Sequence, residues 1–241
     1  MTDATFRDLC LDAADPLVLA TFWGGVLGRE LEAKDDGGQF LGGPGGSRDG
    51  GLTWVDPVPE PRTGKTRVHL DLRLPDADPA PLLAAGATVV REPDDQVRWW
   101  VLRDPDGNEF CAFPPAPPEW GLPAVESPTP FELVVDSREP EAIAGWWAER
   151  LGGTVGSREG APWRWVEGAA AFPFAYWVFN PVPEPKTVKN RMHWDVTLTA
   201  PDPAAFLAAG ATVLTGPTGE NEWWVLADPE GNEFCAFPPP A

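Results

Sequence analysis

The sequence predicts an α+β fold in which one folding unit occurs twice. Residues 58–115 and 182–239 align without a gap at a constant offset of 124, which places His193 on His69 and Cys235 on Cys111. Strand-like alternation and helix-like apolar spacing also follow one another in the same order in both halves. A repeat this long is one unit made twice, not a solenoid of short repeats.

The first elements of the chain are predicted in the order strand, helix, strand, strand. Residues 8–12 alternate as a strand with one apolar face. Asp15 then caps a helix that has Pro16 in its first turn and that Gly28 ends. The elements predicted next are a strand at 30–33, a glycine-rich loop at 35–51 and a strand at 52–55.

The same order then recurs on a smaller scale. Residues 67–74 alternate as a strand, and a helix runs from Asp78-Pro79 to Gly86. Three further strands are predicted at 88–91, 99–103 and 109–113, and residues 104–107 form the turn between the last two. We therefore divide the chain into a domain at 1–115, a stiff proline-rich linker at 116–129 and a second domain at 130–241.

Charge and cysteine content restrict the classes of binding partner and the cellular compartment that we expect. A formal net charge of −19 argues against nucleic acid and against an anionic membrane surface, because both need clustered Lys and Arg. It favours a cationic or neutral small molecule, unless the acidity serves only solubility. The three cysteines form no disulfide framework, and neither a signal-peptide core nor a membrane-spanning apolar run is seen, so we expect a cytoplasmic protein.

Alternation also sorts the ionisable residues of three strands onto one face each. The apolar faces are expected to meet the helices, so the polar faces line a concavity or meet water. The predicted ligand-binding residues on those faces are Asp8, Asp71, Glu109 and Cys111, with their repeat mates Glu132, Asp195, Glu233 and Cys235. His69 and His193 are the candidate catalytic residues, since a histidine beside a carboxylate can act as acid or base.

The two halves differ most where the first is rich in glycine. The second carries aromatic side chains there, and we expect three of them, Trp163, Trp165 and Trp177, to form an aromatic wall or lid.

The chain resembles the vicinal oxygen chelate superfamily, the glyoxalase and bleomycin-resistance group. The resemblance rests on four segments and their repeat mates in the second half: Phe22-Trp23, Leu27-Gly28, the stretch VPEPRTGKTRVHLDL at 58–72 and WWVLRDPDGNEFC at 99–111. The resemblance implies four βαβββ modules, two per domain, that form curled mixed sheets with helices outside and a ligand in the cup.

The resemblance also implies a metal site in the cups, but the ligand set is incomplete. His69 and His193 match the family's histidine, and Asp8 and Glu132 fall near its first-strand ligand. The last-strand position holds Cys111 or Cys235, and the remaining position lies near Thr53 or Trp177. We therefore predict no metal cofactor, with a divalent metal as the alternative.

Three functions remain open at this point. The first is metal-independent binding of an aromatic or cationic compound in an acidic, Trp-lined cup, as in bleomycin-resistance proteins. The second is a lyase or isomerase that uses His69 or His193 as a base or metal ligand, and the third is a structural domain pair without a ligand. The histidine–aspartate pairs and the cysteines also have a plain structural interpretation, as cross-strand polar clusters and small apolar side chains. Either a monomer or a homodimer is compatible with the tandem repeat.

Overall fold

The computed structural model describes residues 2–47, 51–219 and 221–240. The helices are α1 (Pro16–Leu27), α2 (Ala80–Ala85), α3 (Pro140–Leu151) and α4 (Ala204–Ala208). The strands of the first half are β1 (Ala4–Ala13), β2 (Glu30–Ala33), β3 (Gln39–Gly42), β4 (Leu52–Pro57), β5 (Val68–Arg73), β6 (Thr88–Arg91), β7 (Trp100–Arg103) and β8 (Glu109–Phe113). Those of the second half are β9 (Thr129–Ser137), β10 (Thr154–Gly156), β11 (Arg164–Glu167), β12 (Tyr176–Pro181), β13 (Met192–Leu198), β14 (Thr212–Thr215), β15 (Trp224–Ala227) and β16 (Glu233–Phe237).

These elements form four βαβββ modules and two mixed eight-stranded sheets, which confirms the predicted fold class. Sheet 1 has the order β14-β15-β16-β13-β1-β4-β3-β2, and sheet 2 has the order β10-β11-β12-β9-β5-β8-β7-β6. Sheet 1 thus combines the first module with the fourth, and sheet 2 the second with the third. Each repeat was expected to close its own sheet, but each sheet takes one module from each repeat.

Two antiparallel strand pairs join the repeats. In sheet 1, β1 pairs with β13, and Asp8 lies opposite Asp195 and Cys10 opposite His193. In sheet 2, β5 pairs with β9 in the equivalent way, with Asp71 opposite Glu132. Because β9 and β13 are the repeat mates of β1 and β5, the two junctions are related by a pseudo-two-fold axis.

The predicted ends of the first helix are confirmed. The carboxylate of Asp15 accepts a hydrogen bond from the Val18 amide at 3.2 Å, and Pro16 occupies the first turn. Gly28 ends the helix with φ 63°, a left-handed conformation that glycine adopts without a steric cost.

The helices lie on the faces of the sheets opposite the ionisable residues and share one apolar core. Trp23 of α1 contacts Phe110 of sheet 2 at 5.1 Å between ring centroids, and its indole N–H donates to Asp104 at 3.2 Å. Trp147 of α3 repeats both contacts in the second half, with Phe234 at 5.0 Å and Asp228 at 3.2 Å. The DPDGN-type turn that contains each aspartate is therefore a docking point for the helix of the same repeat.

Two predicted loops contain more structure than expected. The glycine-rich loop at 35–51 includes the buried strand β3, while its residues 48–50 lie outside the described residues. The proline-rich linker is not a free spacer, since Trp120 packs near Phe131 and the Pro123 carbonyl accepts a 2.7 Å hydrogen bond from Arg73. The linker thereby covers one end of sheet 2.

Among the described residues, no helix is both long enough and apolar enough to cross a membrane.

The topology predicts how a single repeat behaves. Residues 1–115 alone would leave β1 and β5 without their partners and expose two central strand edges, which favour association with another chain. Because β5 is the repeat mate of β13, two copies can pair β1 with β5 reciprocally and rebuild both sheets. We expect this fragment to be a homodimer by size-exclusion chromatography with light scattering, whereas the full chain forms the same contacts within itself. A stably folded monomeric fragment would contradict the cross-repeat pairing.

Candidate functional site

Each sheet gathers ionisable side chains on the face opposite its helices. We call these faces cup 1 (sheet 1) and cup 2 (sheet 2). In cup 1, Asp8 and Cys10 point away from the core-facing Leu9 and Leu11, as the alternation predicts. In cup 2, His69 and Asp71 alternate in the same way with buried apolar neighbours on β5. The predicted placement of both histidines opposite the helices is confirmed.

The floor of cup 1 holds two carboxyl groups side by side. Asp8 and Asp195 are both buried and are opposed in register on neighbouring strands. Burial, together with the charge of Asp8, raises the pKa of Asp195 to about 7. Near neutral pH Asp195 is therefore partly protonated.

Two thiols and a histidine complete the floor of cup 1. The ligand atoms of Cys10, His193 and Asp195 lie within 4.8 Å of one another, and Cys235 also hydrogen-bonds Asp195. Burial raises the pKa of Cys10 well above its usual value and lowers the pKa of His193. Both thiols are therefore protonated donors and His193 is a neutral imidazole near pH 7.

The floor of cup 2 contains the same three residue types as that of cup 1, but here the histidine pairs with the aspartate. His69 Nε2 lies 3.3 Å from Asp71 Oδ1 and 4.0 Å from Cys111 Sγ. Burial acts to lower the pKa of His69, but the charge of Asp71, its hydrogen bond to the ring and the charge of Asp136 together outweigh burial, and the pKa is raised. Burial, and then the charge of Asp71, raises the pKa of Glu132 well above its usual value. The surroundings in cup 2 thus favour the protonated forms of His69 and Glu132.

Aromatic pairs flank the floor of cup 1 on both sides. Phe40 and Trp54 lie on adjacent strands with ring centroids 5.0 Å apart, and Trp223 stacks on Phe237 at 5.2 Å. The ammonium group of Lys34 lies 5.1 Å from the Phe40 ring and 5.7 Å from the Trp54 ring. Arg7 covers Phe237 at 3.9 Å and also pairs with Asp8. Both aromatic walls of cup 1 therefore already carry a cation.

The predicted tryptophan wall is only partly in cup 2. Trp165 packs edge-on to Tyr176 at 6.3 Å, and across the floor Trp99 stacks on Phe113 at 4.6 Å. Trp163 is exposed beside Trp165. Trp177 does not line the cup, because its ring is fully buried on the helix side of β12, against Trp147 and Trp194. Strand alternation places Trp165 and Trp177 on opposite faces of sheet 2.

Glu109 and Glu233 also have a different role from the one predicted. Both hold the connectors between modules instead of lining the cups. Glu109 accepts hydrogen bonds from Arg62, from Arg103 and from the Thr66 hydroxyl, the last at 2.7 Å. Burial alone would raise the pKa of Glu109. The hydrogen bonds from Thr66 and Arg62 outweigh burial and hold this pKa at about 2. Glu233 binds Lys186 at 2.5 Å in the second repeat.

The remaining predicted residues, Asp8, Asp71, Glu132, Asp195, Cys111 and Cys235, meet in the two floors. Sequence reasoning assigned no role to Cys10, Phe40 or Trp54. Cys10 lies two residues after Asp8 on the same strand and therefore on the same face. This spacing could have identified Cys10 as a site residue from the sequence. Phe40 lies inside the predicted loop, and only the pairing of β3 with β4 brings it beside Trp54.

The residues present can accommodate a divalent metal, although the sequence predicts none. Each floor offers one imidazole nitrogen, one carboxylate oxygen and one thiol sulfur within 4.8 Å, as Cys10, His193 and Asp195 or as His69, Asp71 and Cys111. Within the described part of the chain, Nδ1 of each histidine is buried and makes no hydrogen bond. Three protein ligands of this kind are typical of catalytic zinc sites.

Comparison with known proteins agrees with this architecture. Glyoxalase I from Zea mays shares 14% sequence identity with this chain at a TM-score of 0.64, covering 97% of this chain and 92% of its own. A putative dioxygenase from Bacillus subtilis gives the same identity and TM-score, covering 100% and 86% of the two chains. At such identities the likeness shows the fold alone. No curated protein sequence matches this chain.

The family profile of the glyoxalase-like domain matches the chain twice, at residues 8–113 and at residues 132–237. Both matches contain the histidine and the turn that carried the resemblance in the sequence. The chain therefore belongs to the glyoxalase-like domain family, within the vicinal oxygen chelate superfamily.

Proposed function

We propose that the chain binds a small aromatic cation in cup 1 and sequesters it without a metal. The observation that carries the proposal is the buried pair of carboxyl groups Asp8 and Asp195 between two aromatic walls. The pKa of Asp195 is raised to about 7, so this group is partly protonated near neutral pH. A ligand that brings an ammonium group to this floor lowers the pKa of Asp195 and expels the proton. Asp195 is then a second carboxylate beside Asp8. Its negative charge is buried only when the ligand is bound, so the empty cup does not bear the cost of burying it.

The walls support the same ligand chemistry. An aromatic face attracts a cation most strongly when both are shielded from water. Lys34 rests on Phe40 and Trp54, and its ammonium group also pairs with Glu32 at 2.6 Å at the surface. A ligand cation can replace Lys34 on these rings, because the lysine keeps its partner when it swings away. Arg7 is held more firmly, since it contacts both Phe237 and Asp8.

A second candidate function, acid–base catalysis of the lyase or isomerase type, is favoured by cup 2. There His69, Asp71 and Glu132 form a continuous proton-sharing group on two neighbouring strands. His69 can deliver or take a proton at Nε2, and Asp71 orients the ring. A divalent ion, if bound by His69, Asp71 and Cys111, would supply Lewis-acid polarisation of a substrate oxygen.

Calorimetric titration with tryptamine tests the binding proposal. We expect tryptamine to bind, and its neutral analogue tryptophol to bind at least about tenfold more weakly, a difference of about 1.4 kcal/mol. The heat at pH 7 should also depend on the ionisation enthalpy of the buffer, because Asp195 releases its proton. Basic glycopeptide antibiotics such as bleomycin extend the panel, read by tryptophan fluorescence. Equal affinities for tryptamine and tryptophol would rule out cation recognition.

The variant Asp195→Asn separates function from stability. Asp195 titrates at about 7 in the fold and at about 3.9 in an unfolded chain, so wild-type stability falls as the pH rises between these values. Asparagine has no charge to bury. At pH 8 we expect the variant to unfold at a temperature roughly 4–8 °C higher than the wild type, about 2 kcal/mol, and at pH 4 at the same temperature.

The same variant should bind tryptamine about tenfold more weakly, because it cannot supply the second charge. Asp71→Asn, the repeat mate in cup 2, is the matched control and should leave the tryptamine Kd unchanged. A less stable Asp195→Asn protein with an unchanged Kd would mean that Asp195 serves the fold and not the ligand.

Metal analysis separates the two candidate functions. For protein purified without chelator, we expect zinc, nickel, iron and manganese together well below one ion per chain. One ion per cup would instead favour the metal-dependent form of the second candidate.

A further inference from the structure

A cavity outside both cups lies where the connectors of the two repeats meet. Its walls are residues 60–67 of the first connector, residues 188–191 of the second, and Asp12 at the end of β1. Its volume is about 430 Å³, within the range of about 300–1,000 Å³ that small-molecule sites occupy. We call it the connector cleft.

The connector cleft gathers positive charge in an acidic protein. The chain has 18 Lys and Arg residues and a net charge of −19, yet five of the 18 line this one cavity. The five are Arg62, Lys65, Arg67, Lys189 and Arg191. Only two acidic residues, Asp12 and Glu60, share the walls with them. A scattered distribution of surface cations would not produce this concentration.

Each of the two lysines pairs with a carboxylate that is much less exposed than the lysine. Lys65 contacts Asp136 at 2.6 Å, with 64% of the lysine side chain exposed and only 2% of the aspartate. Its repeat mate Lys189 contacts Asp12, with 53% and 4% exposed. Both lysine side chains are therefore far more accessible than the carboxylates that hold them, although Asp12 itself also lines the cleft.

The arginines are fixed by contacts between the repeats. Arg67 donates to the carbonyl oxygens of Glu184 at 3.1 Å and of Asp136 at 2.9 Å, so no side-chain carboxylate accepts from it in these bonds. Its mate Arg191 donates to the Glu60 carbonyl at 3.0 Å and to Asp106 at 3.1 Å. In the described part of the chain, Nε of both guanidinium groups is buried and makes no hydrogen bond. Such fixed guanidinium groups suit the oxygens of phosphate or carboxylate.

We propose that the connector cleft binds a phosphate-bearing small molecule, which bridges the two repeats at their pseudo-two-fold axis. Lys65 and Lys189 contact the phosphate from opposite connectors, and Arg67 and Arg191 lie behind them. An ion-pair network that only joins the repeats would need the arginines, but it would not need two accessible lysines in the walls of one cavity. The site is independent of the ligand proposed for cup 1.

Lysine footprinting on the unaltered protein tests this proposal. The chain has only four lysines, Lys34, Lys65, Lys186 and Lys189, so each can be followed by mass spectrometry after brief acylation. At pyrophosphate concentrations about ten times Kd, we expect acylation of Lys65 and Lys189 to slow about tenfold. Lys34 lies in cup 1, far along the chain from both connectors, and should keep its rate.

Two comparisons make the result decisive. Sodium chloride at matched ionic strength should protect neither lysine, and malonate should protect less than pyrophosphate. Unchanged rates at Lys65 and Lys189, or equal protection by sodium chloride, would overturn the proposal. Equal protection by malonate would overturn the conclusion that the ligand carries a phosphate.

Variants test the same site. Lys65→Gln with Lys189→Gln should weaken pyrophosphate binding at least about tenfold, while Lys65→Arg with Lys189→Arg should retain it. Arg91→Gln, which breaks the exposed pair with Asp94, controls for loss of charge alone.

Discussion

The pairing of β1 with β13, and of β5 with β9, is the constraint on which the rest of the structure depends. Each pair joins strands from different repeats and brings their inward residues into register. Without it, Asp8 has no Asp195 beside it and Asp71 has no Glu132. The buried carboxyl pairs, the raised pKa values and both candidate sites are therefore products of the junction between repeats, not of either repeat alone.

The same junction explains why the molecule contains two related but unequal cups. A pseudo-two-fold axis repeats the floor, with a histidine, an aspartate and a cysteine in each copy. In cup 1 the thiols hydrogen-bond Asp195 and His193 is a neutral imidazole, whereas in cup 2 Asp71 pairs with His69. Small differences among neighbours thus shift the pKa values of the two histidines in opposite directions, down for His193 and up for His69.

Burying two carboxyl groups side by side is costly even when one of them is protonated, and a fold selected for stability alone would replace them with apolar side chains. The protein keeps such a pair in both floors while the surrounding strands and helices form an ordinary apolar core. The connector cleft concentrates positively charged side chains in a comparable way. Its exposed ammonium groups are held by buried carboxylates. Both features are easier to explain by a ligand than by folding.

The sequence by itself determined the repeat, the order of elements, the caps of α1 and the faces on which His69, His193 and their neighbours lie, because these depend on local spacing and alternation. Only the tertiary structure decided which modules share a sheet, since strand pairing between distant segments leaves no local pattern. That decision brought Asp195 beside Asp8, and Lys65 and Lys189 to one cleft. Contacts between residues more than a hundred positions apart are fixed by how whole modules pack, and alternation within one strand carries no information about them.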